Sequence, residues 1–101
     1  MAYRNAMEAL GDRTRRAIFE QLREGPRAVG EIADELPVSR PAVSQHLRVL
    51  ADANLVTARR EGRRRIYQLH ADGLRAPRAE LERFWSQALE NFKRIAEEAE
   101  R

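Results

Sequence analysis

The chain contains no cysteine, and that absence removes disulfides, thiolate metal sites, cysteine nucleophiles and thiol redox switches from consideration. It fits a cytoplasmic setting. No stretch approaches the roughly 20 apolar residues of a membrane span, and the opening MAYRNAMEALGD lacks the unbroken apolar segment of a secretory signal. A soluble, uncleaved chain without a membrane partner is expected. Glycine-rich phosphate loops are missing too, and Ser44 beside His46 does not make a catalytic triad. Nothing therefore points to an enzyme. Histidine occurs only as His46 and His70. His70 with Asp72 nearby supplies one imidazole and one carboxylate, which does not complete a transition-metal shell. No metal and no other cofactor is expected.

With 101 residues, the chain allows one small domain over 1–101, of a size that buries a modest share of its surface and often completes its core with a partner. Lysine is nearly absent: 18 of the 19 basic residues are arginine, set against 16 acidic residues for a net charge of +3. The distribution is sharper than the sum. Residues 1–79 carry 15 basic and 10 acidic side chains, whereas residues 80–101 carry 4 and 6. The first part attracts polyanions and the tail does not. Arginine's planar fork also suits phosphate and guanine edges better than lysine's point charge.

Residues 39–67, SRPAVSQHLRVLADANLVTARREGRRRIY, are the most informative stretch. Ser39 can cap a helix with Pro41 in its first turn, where a missing N–H breaks no interior hydrogen bond. Val43, Leu47 and Leu50 recur at spacings of four and three, one face of a 3.6-residue period, while Arg40, Ser44, Gln45 and Arg48 point largely away from it. Upstream, Tyr3, Ala6, Met7 and Leu10 predict a short helix that stops near Gly11. Asp12 can cap the next, with Ala17, Ile18 and Leu22 as its buried stripe before Gly25 and Pro26. Val29, Ile32, Ala33 and Leu36 predict a third, closed by Pro37. Joined so tightly, the third helix and the one after Ser39 predict a helix-turn-helix with its recognition helix over about 39–53.

Asn54 is a turn or cap position, after which the period changes. Leu55 to Ala58 lead into one strand and Arg65 to Leu69 form another, with the bend at Glu61 and Gly62; together they predict a hairpin wing over about 55–69. A long helix over about 73–99 follows, with Pro77 either in its first turn or at a break. The expected fold class is mainly α with a small β-hairpin, a winged helix-turn-helix with terminal dimerisation helices.

A major groove about 12 Å wide admits one helix and presents distinct donor and acceptor patterns. Arg40, Ser44 and Gln45 are the candidate base readers. Arg40 could take a guanine edge or a phosphate, Gln45 could pair with adenine, and Ser44 could contact base or backbone. Arg48, one turn farther along, is a candidate phosphate clamp. Ser39 and His46 are candidates for phosphate contact or structural support, and His46, one position from Leu47, reads first as a partly buried structural residue. Arg59, Arg60, Arg63, Arg64 and Arg65 place five arginines in seven positions of the wing. Strand side chains alternate faces, so these cannot all point one way. Some would grip flanking phosphates, and one near Gly62 could enter a minor groove. Double-stranded DNA is the expected partner. The alternative is a protein interaction module on the same scaffold, which would show no salt-sensitive affinity for duplex DNA.

In the last helix Leu81, Phe84 or Trp85, Ala88, Phe92, Ile95 and Ala99 draw an apolar, aromatic stripe. A small domain has little core left for it. The expectation is a homodimer held by Tyr3, Met7 and Leu10 together with Leu81, Phe84, Trp85, Ala88, Phe92 and Ile95; the alternative is packing within one chain's own core.

The words LGDRTRRAIFEQL, VGEIADELPVSRPAVSQHLRVLADANLV and REGRRRIYQL, spread over roughly residues 5–70, closely resemble the arsenical-repressor-like (ArsR) family of bacterial winged-helix regulators. The resemblance implies a homodimeric transcriptional repressor that binds palindromic operators through paired recognition helices and wings, roles that fall on Ser39 to Leu50 and Arg59 to Arg65. Metal-sensing members carry a cysteine pair in the region equivalent to Val29–Ile32, or a histidine and carboxylate cluster in the last helix. Here that region reads Val29, Gly30, Glu31 and Ile32, and no histidine follows His70. The resemblance is therefore to the cysteine-free branch of autorepressors and regulators with unidentified signals, and it leaves the effector open.

Overall fold

A computed structural model describes residues 2–100, and Asp12 and Ser39 cap helices in it as the sequence predicts. Helix α1 (Ala2–Leu10) stops at Gly11, and α2 (Arg13–Gln21) starts from Asp12. Asp12 Oδ1 accepts the Arg15 backbone N–H at 2.9 Å, and this bond is the main reason its carboxyl pKa lies below the ordinary aspartate value. A 3-10 turn over Leu22–Glu24 ends at Gly25, with φ 140°. The chain then enters a two-residue strand, β1 (Arg27–Ala28), too short to leave a period in the sequence.

Helix α3 (Val29–Asp34) begins at Ala28, which has no side-chain acceptor; Glu31 compensates by reaching back to accept the Ala28 N–H at 3.0 Å. Helix α4 (Arg40–Asp52) starts with Ser39 Oγ accepting the Ala42 N–H at 3.3 Å, and Pro41 occupies its first turn. It ends in a Schellman motif. Asn54 takes φ 66°, its N–H donates to Ala51 O at 2.9 Å, and the Leu55 N–H donates to Leu50 O at 3.0 Å.

Strands β2 (Val56–Glu61) and β3 (Arg64–Leu69) pair antiparallel from Val56↔Leu69 to Glu61↔Arg64. The bend is therefore Gly62 and Arg63, one position beyond the expected Glu61 and Gly62. Glu61 still pairs, and Gly62, at φ 64°, takes the positive backbone angle that a two-residue hairpin turn requires. Strand β1 joins the other edge of β3 through Arg27↔Tyr67 and Ala28↔Ile66, giving the order β1-β3-β2 and tying the wing to the helices.

Ile18, Ile32, Val43, Leu47, Leu50 and Leu55 are fully buried. One residue face from each of α2, α3 and α4 thus meets in a single core, and α4's opposite face stays in solvent. The result is a mainly helical winged helix-turn-helix with a small antiparallel sheet.

Helix α5 (Ala71–Ala99) has 29 residues, about 43 Å at 1.5 Å per residue. Pro77 lies inside this continuous helix, neither in its first turn nor at a break. Its missing N–H removes the hydrogen bond that Gly73 C=O would accept, and both residues are buried. At Gly73 the helix packs so closely on the end of α4 that a Cβ there would lie 1.8 Å from Asn54 O. Among the described residues no helix is long and apolar enough to cross a membrane.

Candidate nucleic-acid interface

The core pins Val43, Leu47 and Leu50 inward, which leaves Arg40, Ser44, Gln45 and Arg48 exposed. Ser44, Gln45 and Arg48 form one wall of a groove of about 650 Å³ whose other wall is the wing, through Ala58 and Arg65, with Val29 and Tyr67 also lining it. His46 is not in this groove. It is half-buried on the flank of α4 near Asp12, where its charge helps to lower the Asp12 pKa. Ser39 is taken up by its capping bond, and Arg40 lies over α3, its Nη2 3.0 Å from where a Gly30 Cβ would stand.

Register sorts the five wing arginines. Arg60 pairs with Arg65 and Ala58 with Tyr67, so these four share one face of the hairpin, the face that carries the groove wall. Arg59 and Arg64 belong to the other face and have partners there: Arg59 donates to Gln68 Oε1 at 2.9 Å and lies 3.6 Å from Glu61 Oε2, while Arg64 pairs with Glu31 of α3. Arg60, Arg63 and Arg65 have no carboxylate partner among the described residues. Two guanidinium groups directly across a strand pair repel each other. An anion between them relieves that repulsion. The sequence reading missed the Val29, Ala58 and Tyr67 part of the groove and the Glu31 contact. A two-residue turn at Gly62 and Arg63 was the available signal for Ala58 and Tyr67, since the hairpin register follows from it; Val29 and Glu31, which come from α3, left none.

From Phe84 onward the large apolar side chains of α5 are exposed among the described residues. Phe84, Trp85, Phe92 and Ile95 are 57–71% exposed, so packing within one chain's own core is ruled out for them. Leu81, Trp85, Ala88, Phe92, Ile95 and Ala99 recur at steps of four and three, the spacing of a coiled-coil seam. Leu89, 62% exposed, adds to this surface and was overlooked in the sequence, although it lies four residues after Trp85. Phe84 and Trp85 meet edge to face with centroids 6.3 Å apart. In α1, Met7 is exposed and Tyr3 and Leu10 are half-buried; the Tyr3 N–H donates to Glu80 at 2.8 Å and ties the two terminal helices together.

His70 Nδ1 lies 3.1 Å from Asn54 Oδ1, beside the end of α4. Among the described residues no three His, Asp or Glu side chains gather as a metal-holding group. The chain has no cysteine that could add a thiolate ligand.

Residues 10–59 match a family described as a helix-turn-helix domain. The HTH-type transcriptional regulator Rv2034 of Mycobacterium tuberculosis is 58% identical over 90 residues, spanning 89% of this chain and 84% of that protein. The ArsR-like transcriptional regulator from Rhodococcus sp. RHA1 superposes with a TM-score of 0.77 at 32% identity, over 94% of this chain and 92% of that one. A homodimeric winged helix-turn-helix DNA-binding domain from Mycobacterium bovis, described as a possible ArsR-family transcriptional regulator, gives 0.68 at 31% identity, over 89% and 83%. Element order, the groove between α4 and the wing, and this level of identity over most of both chains agree: the protein belongs to the ArsR family of winged helix-turn-helix, DNA-binding transcriptional regulators.

Proposed function

We propose that two copies of this chain form a symmetric cytoplasmic homodimer that represses transcription by binding a palindromic operator in duplex DNA, its own upstream region being the first candidate. The observation that carries this reading is the groove in which Ser44, Gln45 and Arg48 of α4 face Arg65 of the wing. In it, polar side chains that can read base edges stand beside arginines with no carboxylate partner among the described residues. Ser44 and Gln45 enter the major groove as base readers, with Arg40 at the start of the same helix. Arg48, Arg60, Arg63 and Arg65 neutralise flanking phosphates, which makes affinity fall steeply with salt.

Palindromic recognition needs two-fold symmetry. The exposed α5 seam supports it, because burying several aromatic side chains between copies contributes far more than solvated contacts do. The Mycobacterium bovis relative is described as homodimeric. No metal ion enters this scheme, a reading supported by the lack of cysteine and of any group of three His, Asp or Glu side chains among the described residues. Footprinting of purified protein on the DNA upstream of its gene, with sedimentation at micromolar concentration, tests both halves. Two protected half-sites about one helical turn apart and a dimeric mass are expected. A monomer throughout, or affinity for duplex DNA that ignores salt, overturns the reading.

A further inference from the structure

We propose that Arg64 is a positioning residue: its ion pair with Glu31 pins the wing to the helix-turn-helix, and the wing's grip on phosphate falls to Arg60, Arg63 and Arg65. The inference rests on the DNA-binding reading above and deepens it.

Arg64 Nη2 pairs with Glu31 Oε1 across 33 residues of sequence. Glu31 is a prepared partner, because the same Oε1 accepts the Ala28 N–H at 3.0 Å and so is held at the start of α3. Ala28 in turn pairs with Ile66 of β3, two positions along the strand from Arg64. Backbone pairing and ion pair therefore close one short loop of contacts linking β1, α3 and β3. Around them lies a concavity of about 490 Å³ whose lining includes Arg40, Arg63 and Arg65 as well as Glu31 and Asp34. Among its wing arginines only Arg64 has a carboxylate partner within the described residues. An arginine already neutralised releases no counterion from DNA, whereas each unpaired one that meets a phosphate adds about 0.9 to the salt slope. Residues 58–65 of the hairpin are exposed, so a tie near its tip governs where Arg63 and Arg65 reach.

The test is a double-mutant cycle on operator affinity with Glu31→Gln, Arg64→Gln and both together, each measured from 50 to 200 mM salt. Glutamine at 31 keeps an acceptor for the Ala28 N–H, and circular dichroism checks that every variant is folded. Each single change should weaken operator binding by up to about fivefold, the range of an exposed ion pair. The double variant should be no weaker than either single one, and Arg64→Gln and the double variant should keep the wild-type salt slope. Arg64→Lys should recover most of the loss, and Arg65→Gln should flatten the slope by about 0.9. A flatter slope for Arg64→Gln or additive losses would each overturn the proposal while leaving DNA binding intact. Wild-type protein without salt-dependent affinity for duplex DNA would overturn both readings.

Discussion

Gly73→Ala sets two physical effects against each other, and the structure decides the sign. Helix propensity alone favours alanine over an interior glycine by about 1 kcal/mol. The added Cβ, however, would lie 1.8 Å from Asn54 O, 2.9 Å from its carbonyl carbon and 2.7 Å from His70 Nδ1. Ordinary carbon–oxygen contact is about 3.4 Å, so the start of α5 and the end of α4 must part by about 1.5 Å. Neither side can yield by turning a flexible side chain, since Asn54 O is backbone and held within the Schellman turn. Overpacking costs about 1–3 kcal/mol, and contact with backbone puts this case at the upper end. The displacement also strains the bond from the His70 N–H to Leu55 O, 3.0 Å in the native chain. Net destabilisation of about 2 kcal/mol follows, a fall in Tm of roughly 8–16 °C for a domain of this size. Thermal unfolding followed by circular dichroism, at matched protein concentration because association raises apparent stability, reads it directly. A Tm equal to or above wild type would show that propensity wins and would refute the close-packing argument.

Gln45→Ala should weaken operator binding by about 1–3 kcal/mol and random-duplex binding little; equal losses on both, measured by fluorescence anisotropy, would reject Gln45 as a base reader. Phe92→Asp, which places a charge in the exposed α5 seam, should shift sedimentation to a monomer at micromolar concentration, and a persistent dimer would relocate the interface. Because the Arg15 N–H lowers the Asp12 pKa, the cap's contribution is full above about pH 4 and fades as the pH falls through the lowered value. The Tm gap between wild type and Asp12→Ala should therefore shrink on acidification, and a gap that stays constant would contradict the sign. Stoichiometric Zn²⁺ should leave operator affinity unchanged; a tenfold shift, about 1.4 kcal/mol of coupling, would mean that a metal site exists.

What the sequence alone determines here is what acts between residues a turn apart. Asp12, Ser39 and Asn54 cap or terminate helices through bonds within a few residues of themselves. Val43, Leu47 and Leu50 reveal the buried face of α4 because helical period is local, and the exposure of Ser44, Gln45 and Arg48 follows from it. Contacts between distant residues were decided by the tertiary structure. Strand β1 exists only because Arg27 and Ala28 meet Tyr67 and Ile66, and the pairing of Arg64 with Glu31 depends on that same docking of wing on helices. Pro77, read locally as a start or a break, stays inside α5, which runs unbroken from Ala71 to Ala99. The α5 stripe shows the division most plainly. Its period is written in the sequence, but a period states only that a face is apolar, not what covers it. Only once the core had closed around Ile18, Ile32 and Leu47 was it decided that Trp85, Phe92 and Ile95 remain on the surface.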